Sequence, residues 1–266
     1  MIKPYSIFKF ISTNHKKIKS VIHMGAISST AEKNISLLLE NNYEYSKRLF
    51  EICNRFGIKF IYASSAATYG NGLLGFNDDN ELLNFIRLSP VNYYGLSKHL
   101  FDLHILKKFE EMKKVPSSPI GLKFFNVYGP YEQHKGFMSS PVPKFYDQVK
   151  KSKAIRLFKS YNPLITNGMQ SRDFIYINDC IEIIAWFLNN KKISGIFNIG
   201  TGINTAFIDL ANLIFKNLEI EPKIKFIIKP QQIRKGYQYI TKADIKNLRK
   251  VGYKKKFTKL EIGINN

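Results

Sequence analysis

The sequence predicts an α/β fold, a doubly wound parallel sheet with helices on both faces and a smaller α/β lobe beside it. Three observations predict it. Short apolar runs at 20–26, 58–64 and 120–126 read as buried strands. Amphipathic patterns near 34–56 and 93–113 read as the helices between them. Polar clusters stand at the ends of these strands, where ligands of such sheets bind.

Each element follows from its own stretch. The run Ser20-Val21-Ile22-His23-Met24-Gly25-Ala26 is short and apolar, and Gly25-Ala26-Ile27-Ser28-Ser29 forms its polar end. The second strand ends in Ser64-Ser65-Ala66-Ala67-Thr68, and the third in Asn126-Val127-Tyr128-Gly129-Pro130. A serine or asparagine at a strand end is ordinarily a helix cap or a turn residue; three such clusters at three strand ends say more than any one. A helix near 143–152, a strand near 173–177, a helix at 179–190, a strand at 196–199 and a helix at 205–218 follow. The tail, 222–262, is mixed and lysine-rich. Alternation of strand and helix argues for parallel pairing.

Composition narrows the class. The chain has 266 residues and a formal net charge of +21, enough for one or two domains with a substantial core. No apolar run of about 18 residues occurs, and Met1-Ile2-Lys3-Pro4 does not open a signal peptide, so no membrane association is expected. Cys53 and Cys180 have neither metal-ligand nor redox spacing, which points to no metal and to a reducing cytoplasmic setting. The positive charge invites nucleic acid as a partner. Against that, 34 lysines face only 7 arginines, alongside 35 isoleucines and 23 asparagines, the bias of an AT-rich genome. The lysines are also scattered rather than interleaved with aromatics, so no nucleic acid partner is expected. The surplus still favours a small ligand that carries phosphate.

Gly70-Asn71-Gly72-Leu73-Leu74-Gly75 matches the dinucleotide pattern G-x-G-x-x-G letter for letter. A phosphate loop, however, joins a strand directly to a helix whose first amides bind pyrophosphate. Here the strand has already ended near Ser64, and Phe76-Asn77-Asp78-Asp79-Asn80-Glu81 follows, acidic and turn-like. The segment reads as a surface turn. Gly200-Thr201-Gly202 is too short and too late in the chain.

Tyr94 and Lys98 form the strongest chemical pair. Four residues apart on the 93–113 helix, phenol and ammonium share a face, while Tyr93 points about 100° away, toward packing. A phenol titrates near 10, so service as a base at neutral pH needs a depression of about 3 units, roughly 4 kcal/mol. A neighbouring lysine has the sign to supply part of it. Ser65, at the end of the adjacent strand, can donate to the same substrate oxygen. Tyr-x-x-x-Lys alone is a weak pattern; placed about 30 residues after a strand-terminal serine in an α/β chain, it is strong.

HMGAISST (23–30), ENNYEYSK (40–47), YASSAATYG (62–70), NYYGLSKHLFD (92–102) and FFNVYGPYEQHKG (124–136) together resemble the extended short-chain dehydrogenase/reductases. SRDFIYINDC (171–180), GIFNIGTG (195–202) and TKADIKNLRKVGY (241–253) continue the likeness. Within that superfamily, SSAATYG followed by GPYEQHKG resembles the ADP-L-glycero-D-manno-heptose 6-epimerases, nucleotide-sugar isomerases of lipopolysaccharide core synthesis.

The resemblance implies a Rossmann-like cofactor domain over 1–130, joined by 174–202, with 131–173 and 203–266 as the substrate lobe. It implies NADP, with NAD as the other possibility, taking a hydride from C6 of the sugar and returning it to the other face of a keto intermediate. By that likeness Tyr94 is one acid/base, Lys98 holds the nicotinamide ribose, Ser65 bonds the reacting oxygen and Lys135 is the second acid/base. Met24, Gly25, Ala26, Ile27, Ser28, Asn41 and Val127 match cofactor contacts, together with Lys98 and Lys135. Asn126, Phe137, Lys144, Phe158, Lys159, Ser160, Tyr161, Arg172 and Tyr237 match contacts to an ADP-sugar. Phe137 stands where many relatives carry serine, and Lys144 where many carry histidine. Read from the residues alone, Lys135 is a solvated lysine and Arg172 pairs with Asp173 or another surface acid. A homo-oligomer is implied for the complete protein.

Members of that family begin with a strand, a G-x-x-G-x-x-G loop, a helix and a second strand, none of which occurs in this sequence. The expectation is therefore an exposed apolar edge at 20–26, no pyrophosphate loop and little tight NADP. Two other readings stand beside the epimerase: an inactive or ADP-sugar-binding remnant, and another nucleotide-sugar enzyme such as a 4-epimerase or dehydratase.

Overall fold

The computed structural model describes residues 6–231, 234 and 237–265, without the side chain of Phe137. Helix α1 (Ser6–Asn14) puts Ile7, Phe8 and Ile11 into one apolar cluster with Val21 of strand β1 (Ser20–His23). Helix α2 (Ile35–Leu38) starts on Asn34, whose side chain accepts the Leu37 amide at 3.0 Å. It runs through a single π-helical segment, Leu39–Glu44, into α3 (Tyr45–Arg55). Strand β2 (Lys59–Ser65), α4 (Leu82–Ile86), α5 (Tyr93–Glu111) and β3 (Ile120–Phe124) follow.

The three strands and β7 (Gly195–Ile199) form one parallel sheet in the order β1-β2-β3-β7. Side chains alternate across it, as strand geometry requires. Phe60 and Tyr62 face Phe50 and Phe101 of α3 and α5. Ile61 faces the other way, into a cluster with Ile183 and Phe187 of α7 (Ile177–Asn189). Helices cover both faces, so the doubly wound expectation holds. Within the described sheet β1 is an edge, and Ile22 is 44% and Met24 37% exposed.

The third predicted strand is in fact two. After β3 the chain changes sheets at Phe125, whose amide still donates to Ile199 at 3.0 Å. Strand β4 (Asn126–Tyr128) then pairs with β6 (Ser171–Tyr176), which pairs antiparallel with β8 (Asn204–Ala206). Strand β5 (Ile155–Phe158) pairs with β9 (Ile224–Ile227). Helix α6 (Pro141–Ser152), α8 (Phe207–Asn217) and α10 (Leu260–Asn265) pack here through Phe145, Val149, Leu210, Ile214 and Ile264. Helix α9 (Lys246–Lys250) joins the main core through Leu248. No described helix is long and apolar enough to cross a membrane.

The glycine-rich match at 70–75 is a turn, as expected. It follows a 3-10 turn, Ala66–Tyr69, and Gly70, Gly72 and Gly75 all have positive φ. The acids after it are not all at the surface: Asp78 is buried and accepts the Asn198 amide of β7.

Candidate active site

The site grows from the carboxyl end of β2 and the first two turns of α5. Asn92 caps α5 by accepting the Gly95 amide at 2.7 Å. Gly95 lets that helix end press against the 3-10 turn; a Cβ there would sit 2.7 Å from the Ala67 carbonyl oxygen. The consequence is a short reach between Tyr94, one residue earlier, and Ser65, which closes β2. The Ser65 hydroxyl is near enough to bear on the Tyr94 phenol. The Ser65 hydroxyl also accepts the Ala67 amide at 3.1 Å.

Lys98 lies one turn further along α5, only 5% exposed, and its ammonium donates to the Ala63 carbonyl at 2.9 Å. The predicted trio is therefore assembled, with one difference in its electrostatics. The Tyr94 phenol is raised, not depressed: burial dominates, the Ser65 hydroxyl opposes it, and the Asp102 carboxylate adds to the rise. Burial also pulls the Lys98 ammonium down to about 8, against the attraction of Asp102. Tyr93 is 46% exposed, so it is not the packing residue its helical angle suggested.

The sequence reading missed what lies behind this trio. Asp102, one turn beyond Lys98, accepts the Tyr62 hydroxyl at 2.9 Å and the Ser64 hydroxyl at 2.7 Å. Its carboxylate also pairs with Lys123 of β3. Helix α5 is thereby fastened to two strands at the depth of the site. The signal was present in Lys98-His99-Leu100-Phe101-Asp102: an acid on the same face as Tyr94 and Lys98 must be either wet or paired.

On the side of β1, Met24, Gly25, Ala26 and Ser28 are exposed around Ile27 in the loop that follows the strand. Asn42, not Asn41, holds that loop: it accepts the Ile27 amide at 2.9 Å, donates to the Ile27 carbonyl at 3.0 Å and reaches Ser97 of α5 at 3.0 Å. Asn42 lies in the π-helical segment, a feature frequent at functional sites. Asn41 is exposed and donates to its own helix at Leu37. His23, near Lys98, is pulled down to about 4, first by burial and then by that ammonium, so it is neutral at physiological pH. Val127 packs into the main core cluster, and Asn126 begins β4.

Lys135 is not bonded to the trio. No described hydrogen bond or ion pair links it to Tyr94, Ser65 or Lys98. It faces the buried Glu132 at 3.4 Å, with 41% of its side chain exposed. Glu132, also missed, accepts the Ser140 amide and hydroxyl, each at 2.8 Å, and the Gly129 amide at 3.3 Å. That carboxylate closes the loop 129–140 on itself. Gly136 turns the chain there at φ 52°, a conformation that suits glycine.

The substrate-lobe residues divide. Lys144, Phe158, Arg172 and Tyr237 line one cavity of about 500 Å³, together with Arg156, which the sequence reading passed over. Arg172 donates to the Ser171 carbonyl at 2.9 Å, and its guanidinium stands 5.2 Å from the Tyr237 ring centre and 5.5 Å from that of Phe207. It does not pair with Asp173. Neighbours on a strand face opposite ways, and Asp173 instead accepts from Thr201, Gly202 and Ala243. Lys159 and Ser160 are held by their amides, Lys159 on Ile227 and Ser160 on Asn167. The Tyr161 amide donates to the Tyr239 hydroxyl. The Phe137 side chain lies outside the described residues.

A family model described as the NAD dependent epimerase/dehydratase family matches residues 3–200. The chain is 45% identical, over 93% of its length and 74% of the relative's, to the ADP-L-glycero-D-manno-heptose-6-epimerase of Nitratidesulfovibrio vulgaris strain DP4. It is 44% identical to the enzyme of the same name from Fusobacterium nucleatum subsp. nucleatum, over 94% of this chain and 76% of that one. The crystal structure of the Helicobacter pylori ADP-L-glycero-D-manno-heptose-6-epimerase superposes with a TM-score of 0.78 at 28% identity, covering 97% of this chain and 73% of that one. The chain belongs to the NAD dependent epimerase/dehydratase family, and within it to the ADP-L-glycero-D-manno-heptose-6-epimerases.

Proposed function

We propose that the chain inverts C6 of ADP-D-glycero-D-manno-heptose to give the L-glycero epimer, a precursor of lipopolysaccharide core heptose, with NADP as the preferred cofactor. One observation carries the chemistry: a half-buried tyrosine lies beside a strand-terminal serine, one helical turn from a buried lysine.

The described residues fit the nicotinamide end of the cofactor. The loop 24–28 is exposed beyond a strand end, a Cβ on Gly25 would meet nothing within 4 Å, and Asn42 ties the loop to Ser97, the residue before Lys98. Met24, Gly25, Ala26, Ile27 and Ser28 would hold it, with Lys98 and Val127, and Asn41 and Lys135 at its margin. When bound, the nicotinamide supplies reversible hydride exchange with the sugar carbon. The chain's own groups handle the proton. Tyr94 and Ser65 hold the C6 oxygen between two hydroxyls, and Tyr94 takes or returns its proton. Lys98 contributes positive charge that favours the phenolate. The keto intermediate must present its other face, so a second proton donor is needed in that orientation, and Lys135 on its Glu132-anchored loop is assigned to it. Asn126 would orient the sugar, with Phe137 and Lys144 beside it and Phe158, Lys159, Ser160 and Tyr161 along the loop; Arg172 and Tyr237 would grip the ADP, the guanidinium suiting a diphosphate. The free core thiols Cys53 and Cys180 support a reducing, cytoplasmic setting, and the family likeness supports a homo-oligomer.

The test is conversion of ADP-D-glycero-D-manno-heptose followed by NMR at C6, with UDP-galactose as the competing substrate. Tyr94→Phe and Lys135→Met are each expected to lose about 10²–10⁴-fold in turnover. Undiminished turnover in both variants defeats the assignment. A second reading is the binding of an ADP-sugar without turnover. ADP-sugar binding with no NADP uptake in a direct titration would select it.

A further inference from the structure

Strand β9 leads into a cluster whose chemistry none of the roles above explains. Lys229 has no exposed surface, and its ammonium lies 3.4 Å from the centre of the Tyr237 ring, 4.6 Å from Tyr239 and 5.8 Å from Tyr161. It also reaches the Tyr239 hydroxyl at 3.5 Å. Arg172 shares the Tyr237 ring at 5.2 Å, and Arg234 covers Tyr161 at 4.2 Å. Among the described residues no carboxylate comes within ion-pair distance of Lys229, Arg172 or Arg234. Three cations on three tyrosine rings repel one another, and burial deprives Lys229 of water, while Arg172 is half-buried and Arg234 exposed. An anion that joins the cluster relieves this repulsion.

We propose that Lys229 is a positioning residue for diphosphate recognition: enclosed by Tyr237 and Tyr239, it fixes the Tyr237 ring against Arg172 and adds a positive charge behind the pair that meets the nucleoside diphosphate. This rests on the reading that Arg172 and Tyr237 contact the ADP part of the substrate. Cation–ring contacts of this kind strengthen when desolvated, so an ammonium at 3.4 Å restrains the ring it faces. Its proton is also available to respond to an anion. Burial, with Arg172 and Arg234 adding repulsion, brings the Lys229 ammonium down to about 8, and Tyr161, Tyr237 and Tyr239 are the other titratable groups facing it. An arriving diphosphate favours the protonated form. Affinity is therefore full below pH 8 and declines above it.

Calorimetric titration with ADP tests this. At pH 7.5, Lys229→Met should bind ADP at least tenfold more weakly than the unaltered chain, and Lys229→Arg should stay within about threefold. Between pH 7.5 and 9.5 the unaltered chain should lose affinity while Lys229→Arg stays level. Equal weakening in both variants would mean a packing role and overturn the proposal. So would unchanged binding in Lys229→Met, or a level pH profile in the unaltered chain, which needs no variant to fold. Failure of the unaltered chain to bind ADP at all would overturn the underlying substrate reading and this inference with it.

Discussion

Asp102 and Lys123 form an ion pair with no exposed surface on either side chain, carboxylate and ammonium 2.7 Å apart, directly behind the Tyr94–Lys98 face of α5. The ammonium also donates to Thr68 at 2.6 Å and stands 4.7 Å from the Tyr69 ring and 4.6 Å from that of Phe85. Breaking such a pair leaves a buried charge uncompensated, at about 3–5 kcal/mol. Asp102→Ala should destabilise by that amount in urea unfolding. Asp102→Leu combined with Lys123→Met should recover most of it, because both charges then leave the core together. A double variant as weak as the single one would show that the pair is not a coupled unit.

Ser65 is the group that moves the Tyr94 phenol downward against burial and Asp102. Ser65→Ala removes that hydroxyl, so the phenol should rise further. With the loaded enzyme, kcat is expected to fall by about 10²-fold, and the acidic limb of the pH–rate profile should move to higher pH. A lower kcat with an unmoved limb would assign Ser65 to substrate placement alone.

Glu132 anchors its loop through three protein donors besides Lys135. Glu132→Ala strands buried donors, at about 1–3 kcal/mol, and frees Lys135 from its partner. The expected result is faster proteolysis between 129 and 140 and at least a tenfold fall in kcat, with the main-sheet unfolding midpoint little changed. Wild-type protease resistance together with wild-type turnover would remove Glu132 from the machinery.

What the sequence made legible was local. Tyr94 and Lys98 share a helix, Ser65 ends an apolar run, and both facts follow from spacing. The pairing of Asp102 with Lys123 joins a helix to a strand, and only tertiary structure brings them together. Strands of three or four residues, such as β4, β5, β8 and β9, carry too few alternations to stand out. Lys229 lies in a lysine-rich tail where a solvated charge is the ordinary reading, and nothing in its neighbours' spacing reveals the three tyrosines. Arg172 was open to a better reading: adjacent residues of a strand face opposite ways, which already forbids the proposed bond to Asp173.

Two histidines, the half-buried His23 and the buried His99, give the fold a sensitivity to acid. Burial is the larger cause in both His23 and His99, and each is lowered to about 4, His23 further by Lys98 and His99 by Lys123 against the pull of Asp102. A group depressed in the folded state contributes stability that is fully present above its unfolded value, near 6.5, and is lost as pH falls toward 4. Each histidine can account for about 3 kcal/mol over that window, from 1.36 kcal/mol per unit. Urea midpoints should therefore drop steadily from pH 6.5 to 4. His99→Phe, which cannot be protonated, should flatten the slope measurably even if its stability at pH 7 is lower. An unchanged slope in His99→Phe would place the acid sensitivity elsewhere.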